Sequence, residues 1–244
     1  MRFKLTLEYD GGAFLGWQRV ADGPSVQGVL EDAVISLSGA WAEVIGAGRT
    51  DSGVHAWGQV AHLDLEKSIT PSRLRDAFNA LVRPHAVSVL DVRQAAPDFH
   101  ARFDAVRRVY CYRIANRRPP LALERGKAWR VSRTLDLAAM QAGARHLVGH
   151  HDFSTFRDSH CQAKSPVKTL DRCEVMGAGE DVQVWCEARS FLHRQVRSIV
   201  GTLVEVGLAN LTADDVATAL AARDRTQCGP VAPAEGLYLV RVDY

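Results

Sequence analysis

The sequence predicts an α/β (α+β) fold built from two ferredoxin-like β-α-β-β-α-β units side by side, and three observations lead there. Short runs of apolar residues alternate with polar ones, as half-buried strands require. Between those runs apolar residues recur at helical spacing. The same succession of elements then occurs twice, although sequence identity between the two halves is negligible.

In the first half Phe3, Leu5, Leu7 and Tyr9 alternate as a strand. Val26, Val29, Leu30, Val34 and Leu37 follow at helical spacing behind Pro24-Ser25. A short strand near Glu43–Ile45 leads into a loop, and Gln59–Leu65 reads as the next strand. Thr70-Pro71 supplies an N-cap and a proline at the first helical position. Leu74, Phe78 and Leu81 mark the buried face of that helix, and Val87–Val92 closes the unit as a strand.

In the second half Val106–Ala115 is a strand with Tyr110, Tyr112 and Ile114 on one face. Leu137, Met140, Ala144 and Leu147 form a helical stripe ended by Gly149. Val167–Met176 and Val182–Glu187 pair across Gly177-Ala178-Gly179. Leu192, Val196, Ile199, Val200 and Leu203 make the next helix, with Gly207 just past its end. Thr212, with Asp215 three residues on, opens an extra helix, and Leu237–Val242 alternates as the last strand. The halves are expected at residues 1–104 and 105–244.

Composition narrows the function. Hydrophobic residues make up 47% and charged residues 24%, the balance of a soluble globular protein rather than a disordered or fibrous one. No apolar run reaches membrane-spanning length, and the charged start Met1-Arg2-Phe3-Lys4 does not read as a signal peptide. The five cysteines, Cys111, Cys161, Cys173, Cys186 and Cys228, form no C-x-x-C pair, which fits reduced thiols in a cytoplasmic protein. The net charge of +2 conceals an asymmetry. Residues 1–104 hold 10 basic and 13 acidic side chains, and residues 105–244 hold 20 and 15. Arg102 to Arg133 carries ten basic groups against Asp104 and Glu124 alone, with Tyr110 and Tyr112 among them. Such a stripe is a candidate nucleic-acid footprint. Arginine outnumbers lysine 25 to 5, which suits bidentate phosphate contacts but equally fits a GC-rich genome.

The densest motif is Gly46-Ala47-Gly48-Arg49-Thr50-Asp51-Ser52-Gly53-Val54-His55-Ala56. It begins like a dinucleotide fingerprint but runs toward a strand rather than a helix, so a Rossmann site fails on context. No phosphate-cradling G-x-x-x-x-G-K-[ST] occurs. Thr50-Asp51-Ser52-Gly53 taken alone reads as a β-turn; its company argues for chemistry. Arg49, two residues from Asp51, can hold that carboxylate ionised and aimed, and an ionised Asp can act as a nucleophile. His55 and His62 are seven apart, so on a continuous strand they face opposite ways. His150-His151-Asp152 lacks a third ligand at diagnostic spacing and reads as a capped loop, so no metal is expected. Tyr110 alone reads as a sheet aromatic packing on a helix; the flanking arginines offer a second reading, a face toward RNA on which a base could stack. Arg197, beside the apolar stripe of its helix, reads either as a solvated charge or as a carboxylate's partner.

Several separated motifs, in order, resemble the bacterial tRNA pseudouridine synthase A family. They are Tyr9-Asp10-Gly11-Gly12-Ala13-Phe14-Leu15-Gly16-Trp17-Gln18, Ser25-Val26-Gln27-Gly28-Val29-Leu30-Glu31 and Gly48-Arg49-Thr50-Asp51-Ser52-Gly53-Val54-His55-Ala56. Phe99-His100-Ala101-Arg102-Phe103, Arg108-Val109-Tyr110-Cys111-Tyr112 and Gly149-His150-His151-Asp152-Phe153-Ser154 follow. Phe191-Leu192-His193-Arg194-Gln195-Val196-Arg197 and Ala232-Pro233-Ala234-Glu235-Gly236-Leu237 complete the set. Three positions depart from the family pattern: Gln195 for a usual methionine, Lys168 for a common arginine, and the loose turn Leu81-Val82-Arg83-Pro84.

The resemblance implies isomerisation of uridine to pseudouridine at positions 38, 39 and 40 in the anticodon stem-loop of tRNA. Asp51 would be the nucleophile. Tyr110 would contact the target uracil and is the candidate to take the C5 proton. Arg49 and Arg197 would contact or order the site, Arg197 by pairing with Asp51. It also implies halves related by pseudo-two-fold symmetry and joined through a mainly antiparallel sheet, a homodimer and no cofactor. The rival reading is a non-catalytic RNA-binding protein, although the RNA-recognition signature is absent and the Arg49–Asp51 loop would then serve no purpose.

Overall fold

The computed structural model describes residues 1–244. They group into two compact units, Met1–Val106 with Leu239–Tyr244, and Arg107–Tyr238.

The first unit follows from alternation and capping. Strand β1 (Arg2–Tyr9) buries Phe3, Leu5, Leu7 and Tyr9 and leaves the intervening residues more exposed. Helix α1 (Val26–Ser38) starts where the Ser25 hydroxyl accepts the Gly28 N–H at 3.2 Å, which satisfies one of the unpaired donors of the first turn. Strand β2 (Ile45–Gly46) is shorter and later than Glu43–Ile45. Strand β3 (His55–Asp64) begins four residues before Gln59, so His55 lies on a strand. Helix α2 (Pro71–Leu81) leads to strand β4 (Val87–Gln94). The sheet order is β4-β1-β3-β10, with β2 on β3 and β10 spanning Leu237–Asp243.

Leu81 is 41% exposed, and Val82, at 2%, continues the stripe of Leu74 and Phe78 instead. Spacings of three and four both keep side chains on one helix face, so periodicity does not choose between 81 and 82. The helix ends at Leu81, and Val82, the C-cap whose N–H donates to the Phe78 carbonyl at 2.9 Å, turns inward. The strand carrying His55 and His62 is not continuous in register. Leu7 opposes Gln59 while Tyr9 opposes Ala56, so two steps on β1 match three on β3. That extra residue resets the alternation, and both histidines are buried.

The second unit is built on strand β5 (Arg107–Asn116), helix α3 (Leu137–Arg145), the hairpin of β8 (Val167–Ala178) and β9 (Asp181–Ala188), and helix α4 (Gln195–Gly207). The hairpin turn is tighter than Gly177-Ala178-Gly179, since Ala178 pairs with Asp181. Strands run in the order β5-β9-β8-β7, where β7 is Gly149–Asp152. His150-His151-Asp152 is therefore an edge strand and not a loop, because His150 and His151 pair in register with Thr169 and Lys168. Strand β6 (Trp129–Val131), unmarked in the sequence, pairs with β5 in parallel; every other strand pair whose register is described is antiparallel. Helix α5 (Ala213–Ala222) opens with a reciprocal Thr212–Asp215 capping box.

Helix α4 is the core element of this unit. Val196, Ile199, Val200, Leu203, Val204 and Val206 are all buried, so it is covered on most of its circumference. Gly201 lets the following chain approach closely: a Cβ there would lie 1.6 Å from the Pro230 carbonyl oxygen. Cys111, Cys173 and Cys186 are also sealed in this unit, with Cys173 directly opposite Cys186. Burial pushes the Cys111 thiol up to about 12. No helix is long and apolar enough to cross a membrane.

Candidate active site

Asp51 and Arg49 share the loop between β2 and β3 in the first unit. Asp51 is half-buried and Arg49 exposed. The backbone on both sides of Asp51 is tethered to other segments. Ala47 N–H donates to the Val60 carbonyl at 2.7 Å, and the Gln59 side-chain amide donates to the Gly48 carbonyl at 2.8 Å. Trp17 N–H donates to the Thr50 carbonyl at 3.0 Å, and the Thr50 hydroxyl lies 2.8 Å from the Tyr9 hydroxyl. Beyond Asp51, the Ser52 hydroxyl donates to the Phe14 carbonyl at 3.2 Å, and Val54 N–H closes a turn onto the Asp51 carbonyl at 3.1 Å.

The opening segment of the chain forms the seat for this loop. Asp10 caps a single 3-10 turn by accepting the Gly12 N–H, and Gly11 N–H donates to His55 Nδ1 at 3.0 Å. Gly16 has a φ of +105°, and a Cβ there would sit 2.7 Å from the Thr50 carbonyl oxygen. The seat therefore needs glycine at that position on two counts, conformation and space. Phe14 and Trp17 pack around the Tyr9 ring, with centroids 6.5 and 6.3 Å away. Burial pushes the Tyr9 phenol up to about 12, so it is a neutral hydrogen-bonding group throughout the physiological range.

Tyr110 and Arg197 lie in the second unit. Tyr110 sits on β5 opposite Cys186, 8% exposed, with Phe191 edge-on to its ring at 5.2 Å. Arg197 occupies the first turn of α4, half-buried. Its Nε donates to the Ala232 carbonyl at 2.8 Å, and Ala232 N–H returns a bond to the Arg197 carbonyl at 3.1 Å. The guanidinium is thereby oriented by backbone rather than left as a solvated charge. Pro233 accepts from the Tyr112 hydroxyl at 2.7 Å, which fixes the same segment to β5.

Sequence reasoning missed the residues that hold the loop, namely Tyr9, Thr50, Gln59 and Trp17. One signal was available: a tyrosine on the apolar face of a strand brings a hydroxyl into the core, and that hydroxyl needs a partner.

A family model described as tRNA pseudouridine synthase matches residues 6–104 and 144–244. The chain belongs to the tRNA pseudouridine synthase family. It is 60% identical over 243 residues to the tRNA pseudouridine synthase A of Afipia carboxidovorans, covering 100% of this chain and 99% of that one. The enzymes of the same name from Rhodopseudomonas palustris (strain BisB18) and Maricaulis maris are 58% and 57% identical, covering 100% of this chain and 99% and 98% of theirs. Among solved structures, a chain in a Cbf5-Nop10-Gar1 complex gives a TM-score of 0.36 at 13% identity, covering 83% of this chain and 45% of that one. Membership makes the protein an isomerase that forms pseudouridine in tRNA.

Proposed function

We propose that this synthase modifies uridines 38, 39 and 40 in the anticodon stem-loop, with Asp51 as the nucleophile. The observation that carries the nucleophile reading is the tethering of the Thr50 carbonyl, the Asp51 carbonyl and the Ser52 hydroxyl, which fixes the backbone around a half-buried carboxylate. A nucleophile held in one orientation gives up little freedom on reaching the transition state.

The reaction breaks N1–C1′, turns the base and joins C5 to C1′. N1 gains a proton and the C5 hydrogen leaves to solvent. No electrons are exchanged and no group is donated, so the chemistry calls for neither redox cofactor nor phosphate donor. A carboxylate can carry the covalent intermediate, at C6 of the base or C1′ of the sugar. The uridine must leave its stack, which costs a few kcal/mol. Tyr110 would contact the extruded uracil and is the candidate to accept the C5 proton, while Arg49 and Arg197 would order the site around the carboxylate. The Arg102–Arg133 stripe would hold the tRNA backbone. We further propose a homodimer acting in the cytoplasm, with the catalytic loop in the half spanning residues 1–104 and the basic segment in residues 105–244.

Tritium release from tRNA labelled at C5 of uridine tests the reading. Release is expected from a tRNA with uridine at 38, 39 or 40 and not from one with cytidine at all three. Asp51→Asn should abolish release while tRNA binding persists. Substantial release by that variant removes Asp51 from the mechanism, and release from the cytidine tRNA removes the position assignment. Tyr110→Phe should keep binding and lose turnover; an unimpaired rate counts against proton abstraction. Sedimentation at micromolar concentration decides the dimer.

A further inference from the structure

We propose that Tyr9, Thr50 and Gln59 form a buried positioning relay that sets the orientation of Asp51, and that the relay contributes to turnover rather than to tRNA binding. The inference rests on the reading of Asp51 as nucleophile. Its three members are 4%, 7% and 0% exposed, deep enough that each polar group must be matched inside the protein.

The hydrogen bonds join the three side chains in series. The Gln59 carbonyl oxygen accepts the Val60 N–H at 3.2 Å, which leaves its amide nitrogen as the donor on the other side. That nitrogen donates to the Gly48 carbonyl at 2.8 Å and to the Tyr9 hydroxyl at 3.4 Å. The Tyr9 hydroxyl also lies 2.8 Å from Thr50 Oγ1, a bond in which either hydroxyl can donate. The relay thus grips the loop at Gly48 and at Thr50, which bracket Arg49 and lead directly into Asp51.

The choice of residue types supports a positioning role. Phe, Val and Leu would fill the same space without any polar group to desolvate, and apolar replacements of buried polar sets are often neutral or stabilising. A hydroxyl and an amide here are accounted for by what they fix. They also sit where the loop has no regular secondary structure to fix it, since β2 ends at Gly46 and β3 begins at His55.

The test compares Tyr9→Phe, Thr50→Val and Thr50→Ser with wild type and Asp51→Asn, using tritium release under single- and multiple-turnover conditions. Tyr9→Phe and Thr50→Val should each lower kcat about tenfold, the size expected for one oriented hydrogen bond, with KM and the tRNA dissociation constant unchanged. The Tyr9→Phe/Thr50→Val double variant should fall no further than Tyr9→Phe alone, because Tyr9→Phe already removes the one bond that Thr50→Val removes. Thr50→Ser, which keeps the hydroxyl, should retain near-wild-type kcat. Full kcat in Tyr9→Phe, or a loss confined to KM, overturns the relay. Should Tyr9→Phe fail to fold, the contrast between Thr50→Val and Thr50→Ser decides alone, equal rates overturning the proposal. An inactive Asp51→Asn beside a fully active Tyr9→Phe rejects only the relay, whereas an active Asp51→Asn rejects the nucleophile itself.

Discussion

His62 shows how one residue couples to solution conditions. It is buried, and its Nδ1 accepts the Ala101 N–H at 3.2 Å while the His100 ring lies 4.8 Å away. Burial, reinforced by the positive charges of Arg2 and His100, lowers its pKa from 6.5 to about 4. The unfolded chain therefore binds a proton near pH 6.5 that the folded chain refuses until about pH 4. Stability from this group is fully present above pH 6.5 and is lost as pH falls from 6.5 toward 4. Urea melts across that window should show the loss in wild type and a shallower slope in His62→Asn, whose amide oxygen still accepts from Ala101. Parallel slopes for the two proteins would refute the assignment. The chemistry of such a position is not legible in sequence: His62 and His55 look alike there, and only the extra residue opposite Leu7–Tyr9 shows that both turn inward.

Elements were legible where a periodic stripe met a local signal. Ser25, Pro71 and the Thr212–Asp215 pair mark helix starts because their effect is carried by the adjacent turn alone. Strands β6 and β7 were not, since each is defined by a neighbour distant in sequence: Trp129 pairs with Ile114 and Gly149 with Leu170. A run of three or four residues has no period of its own to read. The same distinction applies to the catalytic loop, where the composition of 46–56 stood out but its seat on 9–17 did not. Helix α4 carries a prediction at this scale. Gly201→Ala would place a methyl group against the Pro230 carbonyl, backbone that cannot yield cheaply. Moving the 228–232 segment would also disturb the Arg197–Ala232 bonds. The variant should lose about 3 kcal/mol or more of stability in denaturant melts; a loss below about 1 kcal/mol contradicts the close approach.

At the scale of the molecule, the near-neutral net charge says little about RNA, whereas its distribution says much. The stretch Arg102–Arg133 concentrates ten basic groups, and Arg125 and Arg130 within it are exposed. If they meet phosphates, each contributes close to one unit to the slope of log K against log salt. Arg125→Gln/Arg130→Gln should therefore weaken tRNA binding at low salt and reduce that slope by about one to two, with the melting midpoint unchanged. An unaltered slope places the phosphate path elsewhere.

The sealed thiols of the second unit have a practical consequence. All five cysteines fall within Arg107–Tyr238 and none within the first unit. Cys161 and Cys228 are partly accessible in the native fold, while Cys111, Cys173 and Cys186 are shielded. Thiol-labelling kinetics on the unaltered chain therefore report the opening of one unit alone. Compared with a whole-chain probe such as far-ultraviolet circular dichroism, they give a built-in, mutation-free gauge of whether the two units open together or in turn.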